Sequence, residues 1–471
     1  MTNKEKFLKG RETAKKHKTM DCKTAEFKID FSHLSKADKT HLNMLFVEAK
    51  RLYNYLINDE VILYNGSIIT DKEQILTIVK DSPLIYKCNG TKDKIAFYNK
   101  DRQYEIYTFQ YLTSQMVQGV ISVLKDNLKS LKELKSKGKK TGQLRFISEY
   151  NSIFLKQFNS TYKFSKCRII ENFYKVDKIV IQGLSKKPLR VKGDGRIPSN
   201  AEIASGKLIN RNGEYFIQAT YFISATLENL NPMFPDTDVG IDFGIKNTLS
   251  LSNKIQLLVL IEETERLKNL QRKLESLDRN YEEQALLSGE VPIKVKNKED
   301  YYFPKSVLSR YRSKNYYRIK TMLNQEYQRI KALKDDITNK LILYLKQFKT
   351  INFQDENVSL WHKGLFGKQV QSSILGRLKS RLKKIPVFML DRYKATTKVC
   401  SKCGYVHKAI KLSDRIYKCP SCNNTEDRDY NAALNMVKMS HSKYNTTAEE
   451  NQYRYLEKLL KNYEKHLKIQ Y

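Results

Sequence analysis

The apolar positions of this chain repeat with a period of either two or about three and a half residues. The switches between the two divide it into segments. TAEFKID (24–30) alternates and predicts a strand. After it, Ser35 is placed to cap a helix whose Leu42, Leu45, Phe46, Ala49, Leu52 and Leu56 fall on one side. Residues 59–101 follow neither period. Helical spacing returns over 112–137, with Met116, Val120, Val123, Leu124, Leu128, Leu131 and Leu134 in one stripe. Beyond the KSKGKKTGQ turn come short aromatic and β-branched runs: SIFLKQF, YKFSKC, KIVIQGL and EYFIQATYFIS, with an Arg211-Asn212-Gly213 turn among them. They predict a small antiparallel barrel or sandwich. ATLENLNPMFPDTD then reads as a linker, with a domain boundary near Pro235.

The second half opens on VGIDFGIKNTLSLSNK, read as strand, tight turn and strand. Leucines at 267, 270, 274 and 277 predict a helix over 262–277. Ile319, Leu323, Ile330, Leu333, Ile337, Leu341 and Leu345 predict another over 315–348. The two suggest an antiparallel helical hairpin inserted between strands. TINFQDENVSLWHKGLFGKQ begins as a second strand. An amphipathic helix over 370–384 follows, and PVFMLDR is a third short strand. Strand, helix, strand is the signature of an α/β layer. The glycine-bearing WHKGLFGK loop reads either as a lid or as a plain connection packing Trp361.

Charge narrows the class. Lys and Arg number 86 against 51 Asp and Glu, a net +35 across 471 residues. Folding alone does not call for that excess, and a large polyanion is the matching partner. Lys125, Lys129, Lys132, Lys135, Lys137, Lys139 and Lys140 crowd the second predicted helix and its following turn. They read equally as a solvated face and as a phosphate-tracking one. In the strand-rich region, Tyr and Phe interleave with Lys as a base-stacking surface requires, although most of those rings are expected in the core. The longest apolar run is Leu257–Ile261, too short to cross a bilayer, and the N-terminus lacks an apolar signal core. No membrane partner is expected, and the expected location is the cytosol (the nucleoid region of a prokaryote, or the nucleus of a eukaryote).

Four of the seven cysteines, Cys400, Cys403, Cys419 and Cys422, form C-x2-C-x15-C-x2-C. Two such turns supply the four-sulfur tetrahedron of a structural zinc ion, with no coordination position left for chemistry. An iron–sulfur centre is the alternative, and His407 reads as a surface residue rather than a further ligand. Cys22, Cys88 and Cys167 are scattered singly, as in a reducing compartment.

Carboxylates supply the candidate chemistry. Asp242 lies within an apolar strand, Asp355 and Glu356 end another, and Asp427 and Asp429 follow the cysteines. An acid in a buried strand is costly without a task, although Asp242 as a turn cap is the plainer reading. Three convergent carboxylates suit two magnesium ions, which take hard oxygen ligands and support phosphodiester hydrolysis.

GIDFG, the acidic strand end, and TTKVCSKCG…YKCPSC…DRDYNAALN together resemble the RuvC-like nuclease domain of TnpB proteins, transposon-encoded RNA-guided DNA endonucleases akin to the miniature type V CRISPR effectors. The cysteine quartet with DRDYNAALN is the specific part. RLYNYLI and the lysine-rich helix extend the likeness more loosely into the N-terminal half.

The resemblance implies a multidomain α/β and α+β protein. An RNase H-like (RuvC) domain carries an inserted helical hairpin and a zinc ribbon. A β-barrel wedge domain, interrupted by a helical recognition domain, precedes it. The implied boundaries are 1–30 and 144–235 for the wedge, 31–143 for recognition and 236–394 for the nuclease. Residues 395–426 become a target-nucleic-acid-binding ribbon, and 427–471 the last nuclease motif with a C-terminal helix. The implied partners are a guide RNA and double-stranded target DNA bearing a short flanking motif.

Carried over residue by residue, Asp242 matches the first catalytic aspartate and Asp429 the last, with Asp427 as a neighbour able to tune or replace it. The middle motif departs from the family pattern, which places glutamate where this chain has Gln354. Side chains two apart on a strand share a face, so Glu356 is the expected replacement and Asp355 is expected to face away.

The leading expectation is therefore an RNA-guided, magnesium-dependent DNA endonuclease. A guided DNA-binding protein with weakened carboxylates, and a guide-free resolvase or nucleic-acid-binding protein, are the alternatives. A transposon or a CRISPR array as guide source, and a monomer or a homodimer, stay open.

Overall fold

The computed structural model describes residues 12–57, 94–98, 104–142, 144–184, 187–193, 197–224, 232–294, 301–364, 366–411, 414–440 and 450–470. Cys88, most of the unassigned 59–101 stretch and half of the predicted linker lie outside them. The chain forms two compact units, 1–228 and 229–471.

In the first unit β1 (Met20–Ile29) pairs along its length with β10 (Glu214–Ser224). α1 (Lys36–Ile57) starts from Ser35, whose hydroxyl accepts from the Asp38 amide at 3.0 Å. β2 (Lys94–Tyr98) and β3 (Tyr104–Thr108) form a small hairpin, and α2 (Ser114–Ser136) is capped by Thr113. The remaining strands are β4 (Ser152–Leu155), β5 (Tyr162–Ile170), β6 (Phe173–Ile181), β7 (Leu189–Lys192), β8 (Ile197–Pro198) and β9 (Glu202–Arg211). β9 turns into β10 through Asn212 and Gly213, both at positive φ, the two-residue turn that matches the twist of paired strands.

The expected barrel is corrected here. The strands run β4-β9-β10-β1-β7-β6-β5, with β8 beside β6, and the path is open. The end strand β5 reaches β9 through a single bond rather than a ladder, where the Tyr162 hydroxyl donates to the Ser205 carbonyl at 3.0 Å. Alternation in sequence specifies half-buried strands, but closure depends on pairing between distant strands, which alternation does not encode.

Helices α1 and α2 bury Leu42, Leu45, Leu52, Met116 and Val120 with Phe27 and Ile217 of the sheet. The buried stripe of α2 stops at Leu124, and Leu128 and Leu134 are exposed, because periodicity names a face without naming its partner. Glu48 of α1 is fully buried and accepts from the amides of Gln110, Tyr111 and Leu112 at 2.8–2.9 Å.

The second unit is built on a six-stranded sheet. β11 (Phe234–Phe243), β12 (Leu249–Leu251) and β13 (Gln256–Val259) form an antiparallel meander. The chain then leaves the sheet through α3 (Glu265–Leu287), the small ribbon β14 (Ile293–Lys294) and β15 (Tyr301–Tyr302), α4 (Lys305–Leu308) and the long α5 (Lys314–Leu345). The predicted helical hairpin is present: α3 and α5 pack through Leu267, Leu270 and Leu323.

β16 (Phe348–Gln354) re-enters parallel to β11. The predicted helix over 370–384 is two helices, α7 (Gly367–Ser372) and α8 (Leu375–Leu382), preceded by α6 (Val358–Lys363). Trp361 of α6 packs at the edge of the core. β17 (Phe388–Leu390) lies parallel to β16. A two-stranded ribbon, β18 (Ile416–Lys418) and β19 (Thr425–Asp427), leads directly into α9 (Arg428–Met439); α10 (Glu450–Leu460) and β20 (Leu467–Gln470) complete the unit. The sheet order is β17-β16-β11-β12-β13-β20. No helix among the described residues is long and apolar enough to cross a membrane.

Candidate functional site: a carboxylate cluster beside a four-cysteine ribbon

Parallel β11, β16 and β17 end at one edge of the sheet, and residues just outside the carboxyl ends of such strands share a crevice. Asp242 is the penultimate residue of β11, and Glu356 lies two residues beyond β16. α9 brings Asp429 to the same place by crossing β11 at Gly240. A Cβ there would overlap the carbonyl oxygen of Ala433 and crowd Val437 Cγ2 at 3.0 Å. Gly240 and Asp242 are two apart, so Asp242 faces the helix that carries Asp429.

The charges register this convergence. Burial, then the negative charges of Asp429 and Glu356, push the Asp242 carboxyl well above its ordinary range; Asp427 adds to the push, while Arg428 opposes it. Burial likewise raises Glu356, against the pull of Lys379 and Arg392. Asp429 is buried with its Oδ1 accepting from Arg428 Nη2 at 3.0 Å and Nε at 3.2 Å; Arg415 Nη1 stands 3.8 Å from Oδ2.

The other two acids have different work. Asp427 caps α9, its Oδ1 accepting from the amides of Asp429 and Tyr430 at 3.0 Å. Asp355 pairs with Lys379 at 2.7 Å, Lys383 at 2.9 Å and Arg392 at 3.5 Å. Hydrogen bonds from Lys379 and Lys383 hold its carboxyl down at about 2. It is tied to α8 and the turn after β17.

Gln354, which departs from the family pattern, has a task of its own in the structure. The pairing Ile241↔Phe353 puts Gln354 beside Asp242 on the neighbouring strand. Its Nε2 donates to the carbonyls of Asp391 at 2.9 Å and Lys394 at 2.7 Å, while its Oε1 accepts from Thr396 Oγ1 at 2.9 Å. An amide can serve both directions at once; a carboxylate has no hydrogen to give the two carbonyls.

The four cysteines meet. Cys400 Sγ lies 3.7 Å from Cys422 Sγ, Cys403 Sγ lies 3.5 Å from Cys419 Sγ, and all four sulfurs fall within 4.8 Å of one another. A tetrahedral zinc ion with Zn–S near 2.3 Å separates its sulfurs by about 3.8 Å, so the quartet fits that ion. Each pair closes a matching knuckle: the residue after the second cysteine, Gly404 or Asn423, has positive φ and donates its amide to the first cysteine's carbonyl at 3.0 Å. The Tyr405 amide also draws the Cys403 thiol down to about 6, toward the thiolate a metal requires. His407 stays out of the quartet and lies edge-on to Tyr417.

Sequence reasoning missed how the ribbon is fastened to the carboxylates. Asn431 and Asn435, one turn apart on α9, are buried. Asn431 accepts from the Ser401 amide and donates to the Val399 carbonyl, both at 2.8 Å; Asn435 donates to the carbonyls of Thr396 and Val399 at 2.8 and 2.6 Å. Both belong to DRDYNAALN, and the signal that could have found them is their spacing of four, which puts two amides on one helix face.

The fold is a mixed α/β chain whose second unit joins a carboxylate edge to a four-cysteine ribbon. Residues 377–436 match the family model described as Cas12f1-like, TNB domain, so this segment is similar to that domain. No curated protein matches the chain. Among solved structures, it is similar at 15% identity and a TM-score of 0.39 to the Cas12f1–sgRNA–target DNA complex, over 85% of this chain and 82% of that one. It is similar at 12% identity and a TM-score of 0.40 to CasPhi-2 (Cas12j) bound to crRNA, over 91% and 98%. A mini-RNA-guided endonuclease, CRISPR-Cas_phi3, is similar at 10% identity and a TM-score of 0.34, over 92% and 94%.

Proposed function

We propose that this chain is an RNA-guided DNA endonuclease whose RuvC-like site uses Asp242, Glu356 and Asp429 to hold two magnesium ions. A guide RNA and a double-stranded target DNA are its partners, and the cysteine quartet holds one structural zinc ion. The observation that supports the reading is a shared sheet edge: Asp242 and Glu356 lie at the ends of two adjacent parallel strands, and the helix that bears Asp429 crosses the first of them at Gly240. The sheet order, with the Asp242 strand central and next to the Glu356 strand, supports the RNase H-like reading. A net charge of +35 and the Cas12f1-like TNB match support a nucleic-acid partner.

Burial first, and the neighbouring acids second, raise the Asp242 carboxyl, and hard oxygen donors are what magnesium prefers. Bound there, the ions would lower the pKa of an attacking water and stabilise charge on the departing 3′ oxygen. Asp242 and Glu356, fixed at strand ends, orient their oxygens from the sheet. Asp427 holds the first turn of α9, and Arg428 holds Asp429 against it. Pairing with the guide would supply sequence, while the protein reads backbone and shape.

The test is cleavage of a guide-matched plasmid in magnesium. Asp242→Ala, Glu356→Gln and Asp429→Ala should each abolish cutting while guided binding persists. Full cleavage by Asp242→Ala overturns the site. Two observations favour a second reading: Arg428 engages Asp429, and Gln354 stands in the family's glutamate position, as in a guided DNA-binding protein with weakened catalysis. The wild-type chain binding a matched plasmid without cutting it would establish that reading. A random mixture of copurifying RNA would instead favour a guide-free protein.

A further inference from the structure

The turn after β17 is built to display one side chain. Tyr393 is 87% exposed, yet the backbone on either side is fixed. The Lys394 amide donates to the Asp391 carbonyl at 3.1 Å, and the Tyr393 amide to Asp391 Oδ1 at 2.9 Å. Beneath it, Gln354 (4% exposed) grips the Asp391 and Lys394 carbonyls and the Thr396 hydroxyl, and Asn435 of α9 holds the Thr396 carbonyl. A buried amide with all its bonds made thus sets a bare aromatic ring at the tip of a rigid turn. Core packing does not explain such a ring, since it touches solvent almost everywhere.

Its neighbours are cationic. Arg392 and Lys394 flank it, and Arg392 reaches back to Asp355 at 3.5 Å. The turn leaves the carboxyl end of β17, the edge where Asp242 and Glu356 lie, and the Arg392 charge acts on Glu356. An exposed ring between two cations suits one ligand class, a single nucleic-acid strand, whose bases stack and whose phosphates pair with flanking charge.

We propose that the Arg392–Lys394 turn is a stacking platform for the single DNA strand entering the carboxylate cluster, with Tyr393 under a base and Arg392 and Lys394 on the adjoining phosphates. This rests on the nuclease reading of that cluster, and Gln354 is its positioning residue.

The experiment uses the full-length chain and its Asp242→Ala variant with a single-stranded 20-mer carrying 5-iodouracil, photocrosslinked and mapped by peptide mass spectrometry, alongside plasmid cleavage. The expected result is a crosslink at Tyr393 in both proteins. Tyr393→Ala, which removes no core contact, should lose it and raise the 20-mer concentration needed for half-maximal crosslinking about tenfold while slowing plasmid cleavage, whereas Tyr393→Phe should keep both near wild type. Crosslinks elsewhere but none at Tyr393, or a Tyr393→Ala protein with unchanged strand dependence, would overturn the platform. If wild type fails to cut and the Tyr393 crosslink still forms, the nuclease reading falls and the strand-binding platform stands.

Discussion

Gly240 of β11 lies so close to the carbonyl oxygen of Ala433 in α9 that no Cβ fits between them. The contact is backbone on backbone, and neither side has a flexible chain end to move aside. Asp242 and Asp429 sit just beyond it, one on each element. The spacing between those carboxylates is therefore set by a residue with no side chain.

Gly240→Ala should accordingly cost about 1–3 kcal/mol of stability, the usual range for overpacking a core. It should also reduce cleavage more than its melting shift explains, because α9 must move off β11. Thermal melts beside cleavage rates check this; an alanine variant that melts and cuts like wild type contradicts the close approach.

The metal-free cluster should be destabilised by its own charge. Asp242 has a folded-state pKa above its unfolded value, so its contribution to stability is fully present below about pH 4 and is lost as pH rises through the raised value. In EDTA at pH 7, Asp242→Asn should thus melt at a higher temperature than wild type. Magnesium should raise the wild-type midpoint and leave the variant nearly unmoved. Scanning calorimetry with and without the ion measures both.

Asp355 should behave in the opposite sense. Its carboxyl is held at about 2, so its contribution is present above the ordinary value near 4 and is lost as pH falls toward 2. Asp355→Asn should cost on the order of 1–2 kcal/mol at neutral pH, after allowance for partly exposed partners, and leave cleavage standing. An inactive but fully stable Asp355→Asn protein would exchange the roles assigned to Asp355 and Glu356.

Gln354→Glu tests the clamp with an isosteric change. It replaces a donor to two carbonyls with an acceptor and should cost about 1–3 kcal/mol, the scale for leaving buried polar groups unpaired. Denaturant unfolding reads it; a neutral or stabilised variant would mean that the turn is held some other way.

Zinc removal should reach the carboxylates through the asparagines. Cys419→Ser should lose zinc and cleavage together, whereas Asn435→Ala should retain zinc and still cut about tenfold or more slowly, as when a supporting hydrogen bond to a catalytic unit is lost. Metal content by elemental analysis beside rates separates the two. Normal rates in Asn435→Ala would leave the ribbon without influence on Asp429.

Much of this arrangement was legible in the chain. Helical spacing located α1, α2, α3 and α5 to within a few residues, except that α3 runs ten residues past its predicted end. The cysteine spacing foretold the quartet, whereas Asp355 and Glu356 lie past the end of β16, where the Glu356 amide turns back to the Gln354 carbonyl and strand alternation no longer applies. Three things were not legible, each for want of a non-local partner. The open strand path replaced a barrel because its closure depends on which edge strands meet. The 370–384 helix breaks at Ser373, where the Ser373 hydroxyl accepts from the Leu375 amide and offers the backbone a local alternative. The work of Gln354 was hidden because its three partners lie 37 to 42 residues away.

β19 ends at Asp427, and α9 begins at the next residue. The chain therefore has no slack between the zinc-held ribbon and the first turn of the helix that bears Asp429. A tilt of the ribbon is a displacement of Asp429, with Asn431 and Asn435 tying the same helix to the segment that enters the first cysteine pair. The attitude of the ribbon and the geometry of the carboxylates are therefore a single degree of freedom.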